Sequence, residues 1–158
     1  ADLYHLAREI AQLASDKGCQ LLLPEEVVVV EKIDPHAVPM TCSIDDVQPS
    51  HYIVDIGPQT VANWQARLEQ ARTLVWNGPV GVFEMPAFAH GTLALAQAVA
   101  AATQSGGLMS VAGGGDTVAA LQAAGVMEQL TYVSTAGGAF LEWLEGSTLP
   151  GVNVLYRN

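Results

Sequence analysis

The sequence predicts an α/β fold, a three-layer αβα arrangement around a mainly parallel sheet. Three observations carry this expectation. Short apolar runs of strand length alternate with longer segments of helical periodicity, which implies βαβ units and a sheet covered on both faces. The chain has 158 residues, half of them hydrophobic and only 14% charged, enough to form the core of one domain. Three loops rich in glycine follow predicted strands, and in parallel sheets ligands sit at the carboxyl ends of strands.

Leu3, Leu6, Ile10 and Leu13 recur at helical spacing from Asp2 to about Lys17, and Gly18 supplies a stop. Gln20 to Leu23 is a short apolar run ended by Pro24, so a strand is expected, with a second from Glu26 to Ile33. Asp34 to Ser50 reads as a loop. Tyr52 to Ile56 is a strand. A helix then starts at Gly57-Pro58, with Val61, Trp64 and Leu68 as its apolar stripe. Thr73 to Trp76 is a strand, and about Pro86 to Thr103 an Ala-rich helix. Leu108 to Val111 and Thr131 to Ser134 are strands, each followed by a helix, Thr117 to Ala124 and Ala139 to Leu144.

Composition narrows the function. The net charge is −10, and the six basic residues form no stripe, so the chain is a poor nucleic-acid binder. Any phosphate must be held by backbone N–H groups, a metal, or cations from elsewhere. No apolar run approaches the roughly 18 residues of a membrane span, and no secretory leader is evident. Cys19 and Cys42 read as reduced thiols of a cytoplasmic protein. Helical periodicity beginning without an initial Met points to a chain cut from something longer.

Three segments carry candidate chemistry. In Gly113-Gly114-Gly115-Asp116-Thr117, a helix N-terminus would offer unsatisfied N–H groups and a positive dipole end to an anion, and glycines would let the backbone approach it. Asp116 either caps the helix or faces a Mg²⁺ bridging to phosphate; taken alone, the cap is the simpler reading. Thr117 either donates its hydroxyl to phosphate or simply occupies the first turn. Ser134-Thr135-Ala136-Gly137-Gly138-Ala139 repeats the same physics. In Trp76-Asn77-Gly78-Pro79-Val80-Gly81-Val82-Phe83-Glu84, Asn77 offers an uncharged amide, and Glu84 is either an acceptor for sugar hydroxyls or a solvated carboxylate. Pro79, Val80 and Phe83 either wall an adenine or belong to the core. The four histidines have no Ser, Cys or second His at useful spacing and receive no catalytic role.

Together these segments resemble the phosphoglycerate kinase family. The likeness rests on Asp55-Ile56-Gly57-Pro58, the Val75 to Glu84 segment, Ala87 to Thr92, Gly113 to Thr117, and Ser134 to Ala139 running into Leu141 to Gly146 and Leu149 to Val152. It covers nearly the whole chain, which in turn covers well under half of that family's length. The resemblance implies a Rossmann-like domain: residues 1–158 would be a partial C-terminal, nucleotide-binding domain lacking its first strands. It implies reversible phosphoryl transfer between 1,3-bisphosphoglycerate and ADP, giving 3-phosphoglycerate and ATP, with Mg²⁺ as cofactor. Glu84 is then expected at the ribose, Asn77 at the phosphates, and Pro79 and Val80 in the pocket wall. Gly114, Gly115, Asp116 and Thr117 would hold the phosphates, with Asp116 the metal ligand. Gly115, Gly137 and Gly138 would lie near the transferring group.

Two departures from the family pattern matter. The glycine- and lysine-bearing strand that opens the family's nucleotide domain is absent, and so is the basic N-terminal domain that binds the glycerate substrate. A smaller one is Ala136, where many relatives have Gly. Phosphoryl transfer is mostly positioning and charge stabilisation, so the 158 residues alone are expected to be inactive. Members of the family are usually monomeric, whereas this fragment, with a sheet edge exposed, is expected to self-associate. An autonomous nucleotide- or anion-binding module without catalysis is the alternative. A dinucleotide-binding oxidoreductase ranks last, because GxGxxG is absent.

Overall fold

The structure, a computed structural model, describes residues 2–134, 138–149 and 153. Five helices are described: α1 (Asp2–Asp16), α2 (Pro58–Leu68), α3 (His90–Gln104), α4 (Gly115–Ala123) and α5 (Ala139–Leu144). Six strands lie among them: β1 (Glu26–Val30), β2 (Met40–Ser43), β3 (Tyr52–Ile56), β4 (Thr73–Asn77), β5 (Met109–Gly113) and β6 (Tyr132–Ser134).

The parallel sheet expected from the alternation is present, in the order β4-β5-β6. Its strands are joined through α3 and α4, so each crossover is a helix, as parallel pairing requires. Ala96, Val99, Ala100, Leu108, Ala112 and Leu121 form the buried cluster between this sheet and its helices. Among the described strands β4 is an edge, and Val75 on it is about half exposed.

The chain's first half departs from the expectation. β1 and β3 do not extend the parallel sheet; with β2 they form a separate antiparallel sheet in the order β2-β1-β3, with β1 in the centre. β2 lies inside the stretch read as a loop. Its four residues, Met-Thr-Cys-Ser, are mostly exposed and carry no alternation, so pairing with β1 alone defines it. β1 ends at Val30, three residues short of the expected Ile33. This antiparallel sheet is tied to α2 by polar contacts. Thr60 Oγ1 accepts from the N–H groups of Glu25 and Glu26 at 3.1 and 2.9 Å and donates to the Glu26 carbonyl. Gly57, the N-cap of α2, has no side chain to offer, and Glu26 Oε2 accepts from Gln59 N at 2.7 Å instead.

Two further expectations are corrected. Gln20 to Leu23 is not a strand: it has no strand partner among the described residues, and Leu21, Leu22 and Leu23 are exposed. A strand is a relation between two segments, so an apolar run without a partner stays irregular. The α1 stripe exists as read, yet Leu3, Leu6, Ile10 and Leu13 remain 50–80% exposed. The helix expected from Pro86 divides into a 3₁₀ turn at Pro86–Phe88 and α3 proper.

The contrast between the two apolar sets is measurable by urea unfolding of the 158-residue chain. Leu121→Ala, at a fully buried position, is expected to cost about 2–5 kcal/mol. Leu6→Ala, on the open face of α1, is expected to stay within about 0.5 kcal/mol of the parent.

Candidate functional site

Register builds the site. Asn77 pairs with Gly113, and Gly113 with Ser134, so three neighbouring strands end level. The loops that leave them start side by side at the carboxyl edge of the parallel sheet.

The central loop is the glycine turn. Gly114 is the N-cap of α4, with φ +101° and ψ 144°, a conformation essentially reserved for glycine. Its carbonyl accepts from Val118 N at 3.0 Å, the first bond of the helix. The next N–H groups, of Gly115 and Asp116, lie in the first turn, where α-helices have no internal acceptor. Both residues are exposed. The turn therefore presents backbone donors and a positive dipole end to solvent.

The neighbouring loop is fastened to it. Thr117 is 1% exposed, and its Oγ1 accepts from Gly78 N at 2.7 Å. The Gly78 carbonyl in turn accepts from Trp76 Nε1 at 2.6 Å. Thr117 thus does more than occupy the first turn: it links α4 to the Asn77 loop, and its hydroxyl keeps a donor of its own. Asn77 itself is exposed, and its Oδ1 lies beside Gly114, 4.0 Å from where a Cβ would stand there. Further along, Thr92 is fully buried; its Oγ1 accepts from Val80 N at 3.1 Å and donates to the Val80 carbonyl.

Of the two readings of Asp116, the cap is not made: the cap residue is Gly114, with no side-chain bond, and Asp116 is exposed in the first turn. Among the described residues, no three His, Cys, Asp or Glu side chains cluster as a metal site. A lone carboxylate beside exposed helix N–H groups fits Mg²⁺, which commonly takes one or two carboxylates, substrate oxygens and water. It would not fit a closed structural metal site. Glu84 is exposed and has no hydrogen-bond partner among the described residues. Pro79 is half-buried. Val80 is half-buried and packs against the cluster of Ile56, Val61 and Leu95. It also lines an apolar cavity of about 370 Å³ beside β4, with Trp64, Leu68, Trp76 and Asn77. Gly138 is exposed, and its carbonyl accepts from Glu142 N at the start of α5. Gly137 lies outside the described residues, as do Thr135 and Ala136.

Sequence reasoning gave no role to Asp55. It is 2% exposed on β3 and accepts from the backbone N–H groups of Ile56 and Gly91, each at 2.8 Å. Burial pushes its carboxyl above the usual range, against the two N–H bonds and nearby His90. Relative to the unfolded chain, folding thus shifts Asp55 toward the acid form, and its contribution to stability declines as pH rises from 3.8 through the raised value. The available signal was a single carboxylate inside the apolar strand Tyr52-Ile53-Val54-Asp55-Ile56.

Charge completes the picture. No Lys or Arg occurs from Thr73 to Pro150, the stretch that builds the whole corner.

A three-stranded parallel sheet flanked by helices, with a helix N-terminus and a glycine turn at its carboxyl edge, places the chain among α/β proteins. Its relatives are specific. The family model for phosphoglycerate kinase matches residues 1–147, and the chain belongs to that family. A phosphoglycerate kinase of Caulobacter sp. (strain K31) is 51% identical over 155 residues, 98% of this chain and 39% of the relative. One from Azorhizobium caulinodans is 52% identical over 156 residues, again 39% of its length. The solved phosphoglycerate kinase of Coxiella burnetii superposes with a TM-score of 0.90 at 45% identity, covering 97% of this chain and 38% of that one. That of Pyrococcus horikoshii gives 0.69 at 31% identity over 84% of this chain and 32% of its own. The chain therefore spans about two fifths of the length of these relatives.

The Thr117 fastening has a direct test. Thr117→Val removes the acceptor of a part-buried N–H and is expected to cost about 1–3 kcal/mol in urea unfolding. Thr117→Ser keeps the hydroxyl and is expected to recover most of that loss.

Proposed function

We propose that residues 1–158 form part of the nucleotide-binding domain of a phosphoglycerate kinase, which transfers a phosphoryl group reversibly between 1,3-bisphosphoglycerate and ADP. The observation that carries this reading is the level ending of β4, β5 and β6, which sets Asn77 beside the Gly114 turn of α4. Backbone donors of Gly114, Gly115 and Asp116 would receive the phosphates, and the free hydroxyl hydrogen of Thr117 would add a donor. Asn77 would give an uncharged amide at the same anion. Asp116 would hold Mg²⁺ from the protein side; when bound, that ion neutralises charge on the phosphate oxygens. Glu84, on the same loop as Asn77, would accept from the ribose hydroxyls, with Pro79 beside it. Gly115, Gly137 and Gly138 would leave room for the transferring phosphoryl group.

The 3-phosphoglycerate or 1,3-bisphosphoglycerate would bind to the remainder of the longer protein, which would also supply the cations this corner lacks. The uncovered edge of β4 and the open α1 stripe offer that remainder a place to pack, and in its absence they offer the same surface to a second copy. No helix among the described residues is long and apolar enough to cross a membrane. A cytoplasmic setting belongs to the same reading, with Cys19 and Cys42 both free.

A graft tests the reading. The corresponding segment of the Caulobacter relative is replaced by these 158 residues, and ATP formation from 1,3-bisphosphoglycerate and ADP is assayed. Turnover is expected in the graft and not in the 158-residue chain alone. Asp116→Asn in the graft is expected to lower turnover on the order of 10²-fold, the scale of one lost stabilising group. A folded graft that binds nucleotide without turnover would instead support a binding module without catalysis.

A further inference from the structure

The buried carboxylate on β3 has no place in the phosphate corner, yet its contacts converge on one loop. Asp55 Oδ2 accepts from the N–H of Gly91, second residue of α3, which as a first-turn donor has no helical acceptor. A Cβ on Gly91 would overlap Asp55 Oδ1. Gly81 closes over the same carboxylate from the other side. Its φ is +68°, and a Cβ there would stand 2.8 Å from Asp55 Oδ1 and 2.6 Å from the Val54 carbonyl. The next residue, Val82, donates to that carbonyl at 2.8 Å. The chain thus leaves the flank of β3 at Gly81 and Val82 and returns to it at Gly91. Between them lies the turn that carries Glu84. Phe88, fully buried against Val30 and Val54, anchors the inner side of that turn, while Glu84 faces out.

Burying a carboxylate is unfavourable unless its hydrogen bonds compensate, and an apolar side chain would fill this strand position without that cost. What an apolar residue cannot do is bond Gly91 N while seating the Gly81 turn. We propose that Asp55 is a positioning residue that holds both ends of residues 81–91 from behind and thereby sets where Glu84 stands. Its functional half rests on the nucleotide reading above, in which Glu84 accepts from the ribose hydroxyls. Asp55 touches no ligand and acts through Glu84.

Two measurements on the 158-residue chain test this. The first is amide hydrogen exchange of Asp55→Asn against the parent. Exchange at Val82 and Gly91 is expected to accelerate about tenfold or more, the scale of one lost charge-assisted bond, while residues 109–124 keep their protection. Unchanged exchange over 82–91, or equal acceleration over 109–124, would overturn the proposal. The second is the ratio of affinities for Mg-ADP and its 2′,3′-dideoxy analogue. Glu84→Gln and Asp55→Asn are each expected to lower that ratio, and the double variant no further than Glu84→Gln. A ratio that falls in Glu84→Gln and not in Asp55→Asn sinks the proposal. If the parent itself shows no preference for the ribose hydroxyls, the nucleotide reading of Glu84 fails, and the exchange result alone decides whether Asp55 holds the loop. Should Asp55→Asn not fold, exchange in the parent decides: Gly91 N–H is expected to be as protected as the amides of Val54 to Ile56. Exchange of Gly91 at a free-peptide rate would refute the role.

Discussion

Asn77, Gly113 and Ser134 are register neighbours on three successive parallel strands. Everything at the corner depends on that register. A one-residue slip in β5 would turn every side chain of the strand to the other face and move the glycine turn away from Asn77. The buried cluster of α3, α4 and β5 resists such a slip, since it would carry buried Ala112 out of the core that it shares with Leu121. The Thr117 to Gly78 bond then fastens the loop after β4 to the first turn of α4. Packing in the core and one part-buried hydroxyl thus determine where the exposed donors point.

The donors are backbone groups, and that choice has a consequence. Backbone N–H groups hold an anion without adding formal charge, so they suit the phosphates of a nucleotide that must bind and leave. They do not supply the localised positive charge that phosphoryl transfer requires. With no Lys or Arg between Thr73 and Pro150, this stretch offers backbone donors and no cationic side chain of its own. The length of the family's curated members, more than twice that of this chain, is consistent with such a division of labour.

Much of this was legible in the sequence where the physics is local. The apolar runs at 73–76 and 108–111 alternate with helix-period segments, and β4 and β5 stand within two residues of those bounds. The glycine turn was legible because Gly114 needs a backbone conformation other residues avoid. What was not legible depends on partners distant in the chain. β2 has no pattern of its own and exists through β1. Gln20 to Leu23 has the composition of a strand and no partner. β1 pairs antiparallel with β2 on one side and with β3 on the other, so the chain crosses past β1 between β2 and β3, a path that the loop-like composition of 34–50 concealed. The Thr117–Gly78 and Asp55–Gly91 bonds were equally opaque, because they span 39 and 36 residues.

The central claim is that the Gly114 turn and the Asn77 loop together receive the phosphates of a Mg-nucleotide. Amide NMR of the ¹⁵N-labelled 158-residue chain during titration with Mg-ADP tests it most directly. The expected result is saturable shifts concentrated at Asn77, Gly78 and Gly113 to Thr117, weakened when Mg²⁺ is withheld or Asp116 is changed to Asn. Saturable shifts elsewhere with these amides unmoved, or no shifts at millimolar Mg-ADP, would contradict it.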